Sequence, residues 1–153
     1  MRSSSQEAFA DFRPVHHDQQ QSLQDQLASS ARPKRGGSEE ARWLRNLLRA
    51  RASRADFFNE NLFADPAWDM LLSLYSAELE QKRVAISRLS LASGVPATTA
   101  LRWINALHKE GMIVRHPDPI DGRRIFVALS VEGSRSIRAY FDSLPANLYP
   151  FSA

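Results

Sequence analysis

The sequence predicts a mainly α fold with a small β-hairpin, an α+β arrangement, over the middle of a 153-residue chain. Three observations carry that prediction. Apolar residues recur at helical spacing in several separate segments. A glycine at position 94 and a proline at 96 divide two of those segments by a tight turn. Two short β-rich runs, Met112–His116 and Ile125–Leu129, flank a connector rich in turn-forming residues.

The elements follow in order. Residues 1–37 read as a disordered polar tail, with Gln19–Gln21, several serines and the cluster Arg32-Pro33-Lys34-Arg35 offering little apolar surface to bury. That basic cluster reads as a solvated tether rather than as an arm on a nucleic acid. Ser38 followed by Glu39 and Glu40 reads as an N-cap with acids in the first turn, where the helix dipole favours them. Trp43, Leu44, Leu47, Leu48 and Ala55 then predict a helix over about 39–54, reaching toward Phe57 and Phe58. Asp65-Pro66 opens the next helix, to about Glu80, with Trp68, Leu71, Leu72, Tyr75 and Leu79 on a broad apolar face.

A short extended piece, Val84–Ile86, leads to Ser87 as the cap of a helix that Gly94 ends. Pro96 starts a helix that runs to Glu110 and stops at Gly111. The hairpin comes next, and Ser130 caps a last helix over about 131–143. Pro145 and Pro150 then predict a flexible tail over 145–153. The core domain is therefore expected at 38–144.

Helix, tight glycine turn, helix and hairpin in that order make a winged helix-turn-helix. Small residues at Ser90 and Ala100 allow close crossing, and Ala100 and Trp103 are expected to face inward. The outer face of the second helix then carries Thr98, Thr99, Arg102 and Asn105, donors and acceptors suited to base edges and phosphates. Arg123 and Arg124 charge the wing, with Asp121 expected to steady the Arg123 side chain by an ion pair.

Charge placement bears on the same region. The formal net charge is only +3. Residues 81–125 carry eight basic and three acidic side chains, whereas 39–80 carry five and eight. A basic stretch of this kind fits a surface that meets phosphates, and it equally fits a solvated basic face.

Other classes fare poorly. Nothing approaches the roughly 20 apolar residues of a membrane span, so no membrane partner is expected. Absence of cysteine removes disulfides, thiolate nucleophiles and Cys-ligated metals, and points to a reducing, cytoplasmic setting. His16-His17 has no third ligand at metal-site spacing, and Glu60, Asp65 and Asp69 form no convincing carboxylate pair. No glycine-rich nucleotide motif is present. The expectation is no enzyme, no metal and no cofactor.

The stretch Leu62–Gly133 resembles the winged-helix domain of the MarR-type transcriptional regulators. Its pieces are Leu89-Ser90-Leu91-Ala92-Ser93-Gly94-Val95-Pro96-Ala97-Thr98-Thr99, Leu107-His108-Lys109-Glu110-Gly111-Met112-Ile113-Val114-Arg115, Asp121-Gly122-Arg123-Arg124 and Ala128-Leu129-Ser130-Val131-Glu132-Gly133. The family's Asp-x-Arg wing signature falls on Asp121 and Arg123, and its Leu-Thr-x-x-Gly exit on Leu129, Ser130 and Gly133, with serine for threonine.

The resemblance implies a homodimer on pseudo-palindromic double-stranded DNA, with helix 96–110 in the major groove and wing 117–124 at the minor groove or backbone. The expected DNA-binding residues are Ser87, Pro96, Ala97, Thr98, Thr99, Arg102, Asn105, Arg115, Asp121, Arg123 and Arg124. The final helix is shorter than the family's, so dimerisation is expected to lean on Trp43, Leu47, Phe57 and Phe58. No particular small-molecule effector is implied. The rival reading is a winged helix that binds only protein, as an adaptor.

Overall fold

The computed structural model describes residues 36–151. The expectation of a disordered tail over 1–37 thus lies outside the described residues, apart from Gly36 and Gly37. Five α-helices and three strands follow in order: α1 (Ser38–Ala52), α2 (Pro66–Leu79), β1 (Val84–Ala85), α3 (Ile86–Ala92), α4 (Ala97–Lys109), β2 (Ile113–Pro117), β3 (Ile125–Leu129) and α5 (Val131–Asp142). Two 3-10 turns, Ser53–Asp56 and Glu60–Leu62, link α1 to α2. The sheet is antiparallel in the order β1-β3-β2. Val84 pairs with Val127, and Arg115 with the same Val127 on the other side. The fold is a winged helix-turn-helix.

Each helix end has a local cause. Pro66 occupies the first turn of α2, where its missing N–H costs nothing. Gly94 (φ +66°) and Gly111 (φ +73°) take left-handed conformations just beyond α3 and α4. Ser130 Oγ accepts the Gly133 N–H at 2.9 Å and so caps α5. Gly133 itself is fixed by space. A Cβ there would lie 2.0 Å from the Met112 carbonyl oxygen, the same oxygen that accepts the Ser130 N–H at 2.9 Å.

Two expected caps move by a residue or two. The N-cap of α1 is Gly37, not Ser38, and that of α3 is Ala85, not Ser87. Ser87 sits within the first turn of α3, exposed. In each case the backbone enters the helix before the hydroxyl reaches a capping position.

The core is built around α2, whose Met70, Leu72, Leu74 and Tyr75 are all buried. Leu44 of α1, Leu89, Ala100, Ile104, Ile113, Val127, Ile137 and Phe141 close around it. A further layer corrects the sequence reading. Residues 145–151 are not a flexible tail: Tyr149 and Phe151 are core residues, with Tyr149 wholly buried. Backbone N–H groups of Leu148 and Tyr149 donate to the Pro145 carbonyl at 2.9 and 3.1 Å, folding the chain back. Pro145 thus ends α5 and starts a turn, and the aromatic rings after it seek the core.

Those rings account for Trp43. It meets Phe141, Tyr149 and Phe151 edge-on at centroid distances of 5.9, 5.3 and 6.4 Å. Tyr149 also stacks on Phe141 at 4.7 Å. Trp43, half-buried, therefore packs against the protein's own core.

Beneath this cluster lies Glu40, fully buried. Its Oε1 accepts the Tyr75 hydroxyl at 2.7 Å and the Tyr149 hydroxyl as well, and its Oε2 accepts the Gly36 N–H at 2.5 Å. A carboxylate can be buried only with such donors around it. Burial, reinforced by Glu40, raises the Tyr149 phenol far above its ordinary range.

Candidate nucleic-acid interface

The helix-turn-helix is held from inside. Ser93, buried in the turn, donates its hydroxyl to the Ser90 carbonyl at 2.5 Å. Leu89, Ala100 and Ile104 are fully buried, and Leu107 nearly so. With the stripe 100–104–107 turned inward, the rest of α4 faces out. Thr98, Arg102 and Asn105 are exposed at i, i+4 and i+7, a single line along the helix. Ala97 and Pro96 are exposed at its N-terminal end, and Thr99 is half-buried.

Trp103 corrects an expectation. Its size and spacing place it on the inner face with Ala100 and Leu107, but it is 41% exposed. It lies about 100° from Ile104 but only about 40° from Leu107, at the edge of the inward stripe, and so is left partly in solvent. Leu101 is exposed as well. The outer surface of α4 therefore mixes hydroxyl, guanidinium and amide groups with one indole and one isobutyl group.

Asn105 is tied to the wing. Its Oδ1 accepts from Arg115 Nη2 at 2.5 Å, so α4 and β2 are joined by a side-chain bond. Nε of Arg115 is buried with no partner among the described residues. His108 adds a second tie, its Nδ1 lying 3.1 Å from the Ile113 carbonyl oxygen. Neither link was visible in the sequence, because both depend on the strand returning alongside the helix.

The wing is shaped by its aspartates. Asp121 Oδ1 accepts the Arg123 backbone N–H at 3.1 Å. That corrects the expected ion pair with the Arg123 side chain: the carboxylate orders the turn and leaves the guanidinium alone. Asp118, which the sequence reading passed over, is buried. Its Oδ1 takes the Ile120 N–H at 2.9 Å, and its Oδ2 lies 3.8 Å from Arg124 Nη1. Arg123 and Arg124 are both exposed. Between wing, α3 and α4 opens a cleft of about 820 Å³, whose walls include Ile86, Leu91, Leu101, Ile125 and the two arginines.

The electrostatics of this end differ from those of the helices behind it. Among the described residues Arg88, Arg102 and Arg123 form no ion pair, so their charge faces solvent. On the far side Arg45 pairs with Glu80, Arg51 with Asp69 at 2.5 Å, and Arg138 with Glu78 at 2.6 Å. A hydrogen bond from Lys82 holds the Glu80 carboxyl below the usual carboxylate range, with Arg45 acting in the same sense and partial burial opposing.

Of the residues expected at a subunit interface, Leu47 is half-buried against the core, while Phe57 and Phe58 are exposed, Phe57 by 81%. Phe58 meets Phe63 edge-on, at 5.4 Å. No cluster of three metal-ligating side chains and no helix long and apolar enough to cross a membrane occurs among the described residues.

No protein-family model matches the sequence, and no curated protein matches it. Solved structures share its chain path in part. The S. aureus MepR–DNA complex aligns at 20% identity and a TM-score of 0.44, over 65% of this chain and 77% of that one. AF1382 from Archaeoglobus fulgidus aligns at 20% and 0.43, over 53% and 89%. A mutant MarR from E. coli aligns at 17% and 0.43, over 84% and 74%.

Proposed function

We propose that the chain is a transcriptional regulator of the MarR type that binds double-stranded DNA as a homodimer and acts in the cytoplasm. One observation carries the reading: the exposed line Thr98–Arg102–Asn105 on α4 is accompanied by two exposed wing arginines, of which Arg123 has no ion pair among the described residues. A helix protruding with polar side chains fits the major groove, about 12 Å wide. Arg102 is suited to bidentate contact with guanine O6 and N7, and Thr98 and Thr99 to neighbouring base edges or phosphates. Ser87, Pro96 and Ala97 lie where the backbone of one DNA strand would pass. Arg115, steered by Asn105, then meets phosphate, while Asp121 shapes the turn from which Arg123 and Arg124 reach the minor groove.

Dimerisation in this reading uses the exposed Phe57 and Phe58, with Leu47 behind them, and domain 38–144 supplies both helices and wing. Two recognition helices would then address half-sites about 34–36 Å apart. Selection from random duplexes tests the proposal, followed by anisotropy titrations in rising salt. Specific binding should weaken with log[salt] at a slope of about −0.9 per phosphate neutralised. Enrichment of no sequence, together with no binding at low salt, overturns the reading. The exposed Trp103 and Leu101 favour the adaptor alternative, which that negative result would support.

A further inference from the structure

The tip of the wing presents an apolar side chain to solvent on nearly every side. Ile120 is 95% exposed. It follows Pro119 and precedes Asp121-Gly122-Arg123-Arg124. An isoleucine so placed adds nothing to the core and keeps apolar area in water. Yet its turn is firmly built. Asp118, only 9% exposed, takes the Ile120 N–H at 2.9 Å on its side chain. Its own N–H donates to the Arg124 carbonyl at 2.9 Å. Arg124 N–H donates in turn to the Asp121 carbonyl at 2.9 Å, and Pro119 fixes the backbone just before the tip.

We propose that Ile120, backed by Pro119, is an apolar wedge that the wing presses between base pairs from the minor groove. The inference rests on the DNA-binding reading above and deepens it. The minor groove is about 6 Å wide, too narrow for a helix but open to a single side chain on a turn. Arg123 and Arg124 stand beside the tip, in reach of the flanking phosphates, while the isoleucine goes inward. An apolar protein surface suits the tip less well, since it would strip water from the Arg123 guanidinium, which has no ion pair among the described residues, without offering it an anion. Apolar side chains inserted this way part a base step, and the cost is lowest at pyrimidine–purine steps such as TA. The wing thereby adds a sequence preference at a step that no side chain hydrogen-bonds.

The test uses the full chain and duplexes recovered by selection, with 2-aminopurine placed in turn at each step under the wing. Wild type and Ile120→Leu should brighten the probe at one step and prefer TA there. Ile120→Ser should bind about tenfold more weakly, the factor expected when roughly half an isoleucine side chain fails to leave water. It should lose the probe signal and the TA preference but keep the preference read by α4 and the salt slope. Because the side chain is exposed, its thermal melt should not change. Equal affinity and step preference in Ile120→Ser, or wild type bound with no step brightened, overturns the wedge and leaves DNA binding intact. Wild type that binds no duplex defeats the DNA-binding reading itself, and the wedge with it.

Discussion

The two ends of this molecule treat the same side chain in opposite ways. Behind the sheet, among α1, α2 and α5, Arg45, Arg51 and Arg138 are each held by a carboxylate. At the other end Arg88, Arg102 and Arg123 are held by none among the described residues. The contrast extends to apolar groups. Trp43 is gathered into an aromatic cluster, whereas Trp103 and Ile120 stand in solvent. A region whose charges and rings satisfy one another is a scaffold, and one that leaves both outward is a surface awaiting a partner. Composition alone does not separate them, since arginine is plentiful in both.

That comparison can be broken from either end. The largest effect should come from Phe141→Ala in the scaffold, costing about 3–5 kcal/mol of stability, read by urea denaturation. A loss under about 1 kcal/mol would mean the aromatic cluster does not hold the helices together. Tyr149→Phe should cost about 1.5–3 kcal/mol, since a buried charged acceptor loses a donor. Arg102→Ala should leave stability unchanged within about 0.5 kcal/mol. In competition binding on operator variants, the same change should relax discrimination by about 1–3 kcal/mol at one base position. Arg123→Ala should instead weaken binding evenly across sequences and reduce the salt slope by about 1. Unchanged affinity in both arginine variants would remove the proposed interface.

The smallest effect concerns pH. Glu80 is held below its ordinary range in the folded chain, so its contribution is present above the unfolded carboxylate pKa and fades as pH falls through the folded one. Glu80→Gln should therefore cost about 0.5–1 kcal/mol near neutrality, and the gap from wild type should shrink in melts taken toward about pH 3. A gap that widens on acidification would reverse the assigned sign.

Much of the architecture was legible because local chemistry specified it. Gly94, Gly111, Pro66 and Ser130 each act within one turn of themselves, so their roles needed no knowledge of the rest. The outward line of α4 followed from helical spacing in the same way. What escaped depended on distant partners. Glu40 looked like a first-turn surface acid, because Tyr75 and Tyr149 lie 35 and 109 residues away along the chain. Pro145 and Pro150 read as the end of order, although the rings at 149 and 151 supply core area that outweighs the chain reversal. Trp103 was misplaced for a different reason: its spacing puts it on the face of Ala100 and Leu107, but at the edge of that stripe, where it is left 41% exposed. Asp118 resembled any turn acid until the hairpin closed over it.

The bond between Glu40 and Tyr149 has a consequence for biosynthesis. Helix α1 emerges from the ribosome early, carrying a carboxylate and an indole whose neighbours do not yet exist. Its final packing must wait until residue 149 has been made and released. The nascent chain can already seat α1 on α2 through Leu44, Tyr75 and the Arg51–Asp69 pair, so a chain stopped short of residue 149 would keep that helix pair but leave Glu40 and Trp43 without their last partner.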